Sequence, residues 1–162
     1  MREAILCLLA VAILSGSCLK KSDGCPYSEA NITASTAEEA TITGYLSGNG
    51  LTATRHSSGM YYSIVQQGSS TTANLCSSLL VNYSGKLSNG SVFDSKNDAM
   101  FVLGAVIEGW KKGIPLIQKG GQIRLYIPPS LGYGNADVKN GSTVVIPANS
   151  MLIFDITLKD VN

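Results

Sequence analysis

One stretch, residues 106–134 (VIEGWKKGIPLIQKGGQIRLYIPPSLGYG), constrains the fold of this chain more than any other. It carries the only tryptophan, Trp110, followed at spacings of four and three by Ile114 and Ile117, so the three side chains share one face of a short helix. After a two-glycine turn, residues 122–127 alternate between two sets of side chains, which is typical of a half-buried strand. A single tryptophan on a short helix predicts that this ring is the centre of the core.

Length and composition exclude several classes of protein. The 162 residues, 44% hydrophobic and 14% charged, are enough for one domain with its own core and too few for two. The formal net charge is +1 and no basic cluster exceeds two lysines, so nucleic-acid binding is not expected. His56 is the only histidine, and no CxxC pair or Cys/His cluster occurs. A zinc site, a histidine-based catalytic triad and a thiol oxidoreductase are not supported, and we expect no metal and no cofactor.

The first residues have the pattern of an export signal. Arg2 is followed by an apolar run over residues 4–14, which is the length of a signal-peptide core and too short to span a bilayer. Small residues then lead into Cys18, which resembles a bacterial lipoprotein signal. We expect residues 1–17 to be removed and a lipid on Cys18 to anchor the chain to a membrane. The alternative is ordinary cleavage after the small residues, with Cys18 incidental.

Two other cysteines remain in the exported chain. Cys7 leaves with the signal and Cys18 would carry lipid, which leaves Cys25 and Cys76. An even pair in an oxidising compartment makes a disulfide possible. Two separate thiols are the alternative, because a sequence contains no geometry to decide between them.

The segment before the main domain divides into two parts. Residues 18–37 are rich in Ser, Lys, Thr and Asn and predict a flexible tether. Thr36, with an acid three residues later, predicts the cap of a short helix that ends at the glycines of residues 48–50. With two strands after it, this helix makes residues 38–75 an N-terminal extension.

Residues 76–162 form the main domain. Strand patterns cover residues 79–87, 92–95, 122–127 and 151–161, with a polar loop after residue 95, a short apolar run at 100–103 and another loop at 135–142. Five or six strands, adjacent in sequence and joined by short turns, predict an α+β domain. We expect an antiparallel sheet with a short helix packed on one face.

Three blocks of this domain carry a family resemblance. Residues 81–96 (VNYSGKLSNGSVFDSK), 106–134 and 145–161 (VIPANSMLIFDITLKDV) resemble, in order and spacing, the signature blocks of FKBP-type peptidyl-prolyl cis-trans isomerases. The resemblance implies a five-stranded antiparallel sheet curled around a short helix, with the ligand pocket between them and Trp110 as its floor. Residues 38–68 are similar to the extension common on exported bacterial members.

The resemblance also implies the residues of the pocket. Carried over one by one, they are Tyr83, Phe93, Asp94, Val106, Ile107, Trp110, Tyr133, Ile146 and Phe154. In the family, the tyrosine matching Tyr133 donates a hydrogen bond to a substrate carbonyl, and the backbone N–H matching Ile107 contacts another carbonyl. The carboxylate matching Asp94 lies near the carbonyl that precedes the proline.

Two departures from the family pattern bear on specificity. Ala99 falls where many members carry a larger side chain, and the loop at residues 135–144 differs from that of the best-known members. This loop overhangs the pocket in the family, so substrate preference and affinity for macrolide inhibitors of the rapamycin class depend on it.

The implied function is acceleration of X–Pro bond rotation in proline-containing polypeptides. The implied place is the bacterial cell envelope, on a periplasm-facing or outer-membrane lipoprotein. A second hypothesis is a binding module whose pocket serves chaperoning or docking, motivated by the lipid tether and the altered loop. A carbohydrate- or peptidoglycan-binding lipoprotein would explain the export and the aromatic residues, but not three ordered blocks.

Overall fold

The structure, a computed structural model, describes residues 24–162. The predicted signal over residues 1–17 and the predicted lipidation site Cys18 lie outside the described residues. None of the helices within residues 24–162 combines the length and the apolar composition that crossing a membrane requires.

The described part consists of one large sheet, a two-stranded ribbon and two α-helices. In chain order the elements are α1 (Thr36–Gly48), β1 (Thr54–Arg55), β2 (Tyr61–Gln66), β3 (Ser78–Leu87), β4 (Val92–Val102), α2 (Glu108–Gly113), β5 (Gln122–Ile127), β6 (Val138–Asn140), β7 (Thr143–Ile146) and β8 (Leu152–Val161). Single 3₁₀ turns cover Leu103–Ala105, Ile114–Leu116 and Pro129–Leu131. The large sheet has the order β1-β2-β5-β8-β3-β4, every neighbouring pair is antiparallel, and β6 pairs only with β7. The predicted α+β class with an antiparallel sheet is confirmed.

The inner face of the sheet packs against α2. On β5 and β8, alternate side chains enter one core cluster with Trp110 and Ile114: Ile123, Leu125, Ile127, Leu152, Phe154, Ile156 and Leu158. All of them are almost fully buried. The alternation along residues 122–127 therefore identified the inner-facing residues correctly, and Trp110 lies at the centre of the core as expected.

Part of the outer face of the same strands is also buried, which the sequence analysis did not predict. Tyr126 and Ile153, which point away from α2, are 2% and 1% exposed. They pack against Ile42 and Leu46 of α1 in a second cluster. The description of β5 as half-buried was wrong at Tyr126, because the N-terminal extension supplies a helix that covers this face.

The predicted cap of α1 was wrong by one residue. Ser35, not Thr36, is the N-cap: its hydroxyl accepts a hydrogen bond from the Glu38 N–H, and the Glu38 carboxylate accepts one from the Ser35 N–H. This reciprocal pair satisfies two backbone donors that a helix start leaves unpaired.

The polar loop predicted after residue 95 is part of a strand. β4 runs without a break from Val92 to Val102 and pairs with nearly the whole of β3. Asn97 and Asp98 have low strand propensity, but β4 is the edge of the sheet, where charged and irregular residues are tolerated.

Residues 24–35, which the sequence analysis assigns to a flexible tether, contact the domain in this structure. Cys25 and Cys76 are joined by a disulfide, with their Cα atoms 5.5 Å apart. At the other end of the segment, Ala34 is 7% exposed and its N–H donates to the carbonyl of Ser58. The segment is thus attached at both of its ends.

Candidate active site

A cavity of about 310 Å³ lies between α2 and the inner face of the sheet. It is lined by Tyr83, Phe93, Asp94, Phe101, Ala105, Val106, Ile107, Trp110, Tyr133 and Phe154. β3, β4 and β8 contribute aromatic rings, the segment from Ala105 to α2 forms one wall, and the turn after β5 contributes Tyr133.

Aromatic ring edges surround the indole of Trp110. Its ring lies 5.4 Å from that of Tyr83, 5.6 Å from that of Phe101 and 5.3 Å from that of Phe154, measured between centroids, and each pair is close to perpendicular. Edge-to-face contacts of this kind are favourable because the positive ring edge meets the negative ring face. The indole is 3% exposed, so three neighbours hold it as the base of the cavity.

A glycine on β3 allows two of the rings to meet. Phe93 and Phe154 stack edge to face with centroids 5.5 Å apart. A Cβ on Gly85 would lie within 2.7 Å of both rings, which no side chain could tolerate without displacing them. Gly85, within the first signature block, is therefore required by this close approach.

Tyr83 and Asp94 form the polar pair of the cavity. The Tyr83 hydroxyl donates to Asp94 Oδ2 at 2.5 Å, a short hydrogen bond of the kind made to ionised acceptors. Burial, together with this hydrogen bond and the charge of Asp94, raises the pKa of Tyr83 to about 12. The hydroxyl therefore keeps its proton at physiological pH and remains the donor in this bond.

Two further donors border the cavity. Ile107 is the N-cap of α2, and its carbonyl accepts from the N–H groups of Trp110 and Lys111. Its own N–H has no hydrogen-bond acceptor among residues 24–162. Tyr133 is 43% exposed, and burial of its hydroxyl and the charge of Asp94 raise its pKa. Both groups can donate a hydrogen bond to a ligand at neutral pH.

The turn that carries Tyr133 is held from two sides. The carbonyl of Pro129 accepts from the N–H groups of both Gly132 and Gly134, which closes the turn around Tyr133. The N–H of Ser130 donates to Glu38 Oε1 at 2.8 Å, so the helix of the extension supports this turn. Burial alone would raise the pKa of Glu38, but hydrogen bonds from Ser35 and Ser130 hold it below its usual value.

Eight of the nine residues carried over from the resemblance line the cavity. Ile146 does not: it is 3% exposed within the core cluster, beside its ribbon partner Val138. Ala99 is also buried in the core and not on the cavity surface. The loop at residues 135–144 contains β6 and the start of β7, a ribbon separate from the large sheet.

Sequence reasoning missed two lining residues, Phe101 and Ala105. Phe101 could have been found from strand lengths. β3 is ten residues long, and a partner of four residues, 92–95, would have left half of its backbone groups unpaired. Extending the partner to its full length places Phe101 opposite Leu79, next to the tryptophan.

The described residues contain no group of three or more His, Cys, Asp or Glu side chains that could hold a metal ion. The cavity instead combines an apolar interior with a carboxylate, two hydroxyls and a free N–H at its border. Such a site suits a small cyclic or aromatic ligand that carries carbonyl groups.

Comparison with known proteins identifies relatives of similar sequence and fold. A probable FKBP-type peptidyl-prolyl cis-trans isomerase of Haemophilus influenzae is 43% identical over 109 residues, which are 65% of this chain and 44% of that protein. FkpA of Escherichia coli is 40% identical over 109 residues, 65% of this chain and 38% of FkpA. The chain thus spans less than half the length of these curated relatives.

Solved structures give the same result. The crystal structure of FkpA from Escherichia coli superposes with a TM-score of 0.67 at 34% identity, over 78% of this chain and 60% of that one. The crystal structure of AtFKBP13 gives a TM-score of 0.63 at 32% identity, over 68% of this chain and 99% of that one. The family model described as FKBP-type peptidyl-prolyl cis-trans isomerase matches residues 69–159. The chain therefore belongs to the FKBP-type peptidyl-prolyl cis-trans isomerase family.

Proposed function

We propose that this protein accelerates cis-trans rotation about X–Pro bonds of polypeptides, with the proline ring seated on Trp110. The observation that carries this proposal is the aromatic cavity of about 310 Å³ with Tyr83, Asp94, Tyr133 and the Ile107 N–H at its border. A proline ring is small, apolar and flanked by carbonyl groups, so it matches both the interior and the rim.

The reaction needs no group transfer. Rotation must overcome the loss of amide resonance, a barrier of about 18–20 kcal/mol in solution. The planar amide has more negative charge on its oxygen than the twisted amide, and water stabilises that charge. An apolar cavity removes this stabilisation from the planar form, so the barrier falls when the amide is bound without water.

The polar groups at the rim would then favour the twisted amide and fix the peptide. A carboxylate near the oxygen that precedes the proline opposes its negative charge, and this repulsion is weaker in the twisted form. Tyr83 holds Asp94 in place through its hydroxyl. Donors at Ile107 and Tyr133 would bind carbonyl groups on either side, so that the peptide is held while one bond rotates.

The decisive experiment is a proline-limited refolding or peptide assay with the purified protein and with Asp94→Asn. We expect the unmutated protein to exceed the uncatalysed rate, and the variant to lose most of the excess, because the oxygen of the planar amide is no longer opposed. Lys119→Met is a matched control, because its exposed ion pair with Asp160 is not among the residues lining the cavity. If the unmutated protein gives only the uncatalysed rate, the proposal fails and a binding module becomes the better interpretation.

Competition by a macrolide provides an independent test of the same cavity. A macrolide of the rapamycin class should quench or shift the fluorescence of Trp110 and inhibit the isomerase assay at the same concentration. Macrolide binding without inhibition would show that the cavity is not the site of the isomerase activity.

The proposal extends to the place of action. The apolar run at residues 4–14 and the cysteine that follows the small residues support export and lipidation at Cys18, and a location in the bacterial cell envelope. The substrates would then be exported polypeptides. Mass determination of the mature N-terminus should find a lipidated Cys18; an unmodified N-terminal residue elsewhere would contradict it.

A further inference from the structure

The segment of residues 24–34, here called the strap, runs along the back of one pocket wall. That wall extends from the 3₁₀ turn Leu103–Ala105 to Trp110 in α2, and four of its residues line the cavity. The strap contacts the same wall at its turn, at the first residue of α2 and near the end of α2.

The first contact is made by Tyr27. Its ring packs directly on the backbone of Gly104, where an added Cβ would lie only 2.1 Å from the ring. Gly104 is buried, and its N–H donates to the carbonyl of Leu75, the residue before Cys76. Tyr27 therefore contacts the wall at the point where it leaves β4, and the residue before Cys76 is bonded to the same point.

The second contact is made by charged groups at α2. The N–H of Ala30 donates to Glu108 Oε2 at 3.0 Å, while Lys111 pairs with Glu108 Oε1 at 2.7 Å. Lys112 donates to the carbonyl of Ala30 and to the Glu29 carboxylate, each at 3.1 Å. The side chains of Glu108, Lys111 and Lys112 are only 10–15% exposed, so the bonds of Ala30 to Glu108 and Lys112 are partly shielded from water, whereas the Glu29 side chain is 44% exposed.

The strap has fixed ends. The Cys25–Cys76 disulfide holds one end, and the Ala34 N–H bonded to Ser58 holds the other. By contrast, α2 is only six residues long and makes few hydrogen bonds of its own. A helix this short is not stable alone, so its position depends on what packs against it.

We propose that the strap is a positioning element for the pocket: by its bonds to Glu108, Lys112 and Gly104 it holds the Ala105–Trp110 wall in the conformation that binds a prolyl peptide. Tyr27, Glu29 and Lys112 act through the wall and do not touch the ligand. This inference rests on the proposed function for its kinetic readout, since the wall includes the Ile107 N–H and the floor of the cavity.

Loss of the strap contacts has a defined kinetic signature. If the wall is competent for only a fraction of the time, the apparent affinity for peptide falls by that fraction, while the rate at saturation is unchanged. A fraction of the protein that is irreversibly inactive has the opposite signature: kcat falls with the active fraction and KM stays constant. Reversible unfolding of the whole domain would also raise KM, because substrate binds only the folded state. The split between KM and kcat therefore excludes inactivation, and the protection of β5 against hydrogen exchange excludes global unfolding.

The experiment compares three variants with the unmutated protein on a short peptide that contains a Leu-Pro bond. Lys112→Met removes the bonds to Glu29 and Ala30, and Cys25→Ser with Cys76→Ser releases one end of the strap. We expect KM to rise about fivefold in each, with kcat within about twofold of the original. Lys112→Arg keeps the charge and a donor and should restore most of the affinity.

Lys119→Met is the control for the loss of a lysine ion pair, because Lys119 pairs with Asp160 and makes none of the strap's bonds. It should leave KM unchanged. An unchanged KM in Lys112→Met and in the cysteine double variant, or a fall in kcat alone, would overturn the proposal.

Amide hydrogen exchange provides a test that does not depend on activity. In Lys112→Met and in the cysteine double variant, residues 103–113 should exchange faster, while β5 keeps its protection. If the unmutated protein proves inactive, the proposed function fails, and this measurement alone decides on the strap. Equal exchange of residues 103–113 in all proteins would reject it.

Discussion

Strands β5 and β8 bury residues on both of their faces, but the two faces are covered in different ways. On the inner face, the six-residue α2 packs Trp110 against aromatic rings and leaves a cavity of about 310 Å³ with polar groups at its border. On the outer face, the thirteen-residue α1 packs Ile42 and Leu46 against Tyr126 and Ile153. Burial is equally complete at these positions, so burial alone does not identify a functional face.

The difference lies in what accompanies burial. The inner face combines a short helix with a cavity and with two donors at its border. The Ile107 N–H has no acceptor among residues 24–162, and the Tyr83 hydroxyl is oriented by Asp94. The outer face contributes apolar packing between a helix and a sheet. We therefore expect substitutions on the inner face to change both the free energy of unfolding and kcat/KM. Substitutions on the outer face should change the free energy of unfolding alone.

The largest effect is expected for Trp110→Ala. Removing a buried tryptophan costs about 3–5 kcal/mol of the free energy of unfolding, because it deletes the contacts with three rings and leaves a void. The loss of the floor should also reduce kcat/KM about a hundredfold, since the proline is no longer held in place. Urea unfolding and a peptide assay measure the two losses separately. An active Trp110→Ala variant would show that the inner face does not hold the substrate.

Ile42→Ala tests the outer face with a truncation of a fully buried side chain to the same alanine. Ile42 is fully buried, so we expect a cost of about 2–5 kcal/mol in the free energy of unfolding. In contrast to Trp110→Ala, kcat/KM of the folded protein should not change. A decrease of kcat/KM at a temperature where the variant is fully folded would mean that the two faces are coupled.

Tyr83→Phe isolates the polar part of the inner face. It removes the hydroxyl that orients Asp94 but keeps the ring against Trp110. We expect kcat/KM to fall about tenfold, with a stability cost near 1 kcal/mol. Tyr45→Phe, whose ring packs against Tyr126 on the outer face, is the matched control and should leave kcat/KM unchanged.

The stability of the unmutated protein and that of Tyr83→Phe should depend differently on pH in the alkaline range. Burial raises the pKa of Tyr83 to about 12, whereas an unfolded tyrosine loses its proton near pH 10. The unfolded state therefore releases a proton between pH 10 and 12 that the folded state retains. The stabilisation is complete below pH 10 and is lost as the pH rises through 12. Urea midpoints at pH 8, 10 and 11 should fall less steeply for Tyr83→Phe than for the unmutated protein.

The smallest effect is expected for Glu38→Gln. The pKa of Glu38 is held below its usual value, so its stabilisation is present above pH 4.5 and is lost as the pH falls through the lowered value. At pH 7 the variant should lose about 1 kcal/mol or less, because the carboxamide still accepts from Ser35 and Ser130. The difference from the unmutated protein should vanish once the pH has fallen through the lowered pKa of Glu38; a constant difference would exclude a role for the charge.

The sequence predicted the inner face well because both of its signals are local. Alternation on residues 122–127 and the spacing of Trp110, Ile114 and Ile117 depend on neighbours within one element. Of the nine residues that the ordered blocks imply, eight line the cavity. Ile146 lies in the core instead, because the resemblance gives its position along the chain but not the inward packing of the ribbon.

The outer face could not be predicted in the same way. Whether Tyr126 is buried depends on α1, which lies about eighty residues earlier in the chain, and no local pattern records that contact. The same is true of the strap: it has few large apolar residues and its composition suits a tether, yet fixed ends hold it against the domain. Long-range contacts decided these cases against local propensity.

The pairing of β2 with β5 has a consequence for the order of folding. β2 ends at Gln66 and β5 begins at Gln122, so the extension's strand pairs only with the two-residue β1 until the later segment is available. Contacts of such separation form late because chain closure must precede them. The disulfide joins residues only 51 positions apart and needs no part of β3 to β8. The Cys25–Cys76 crosslink can therefore form without the residues of the pocket wall that the strap later contacts.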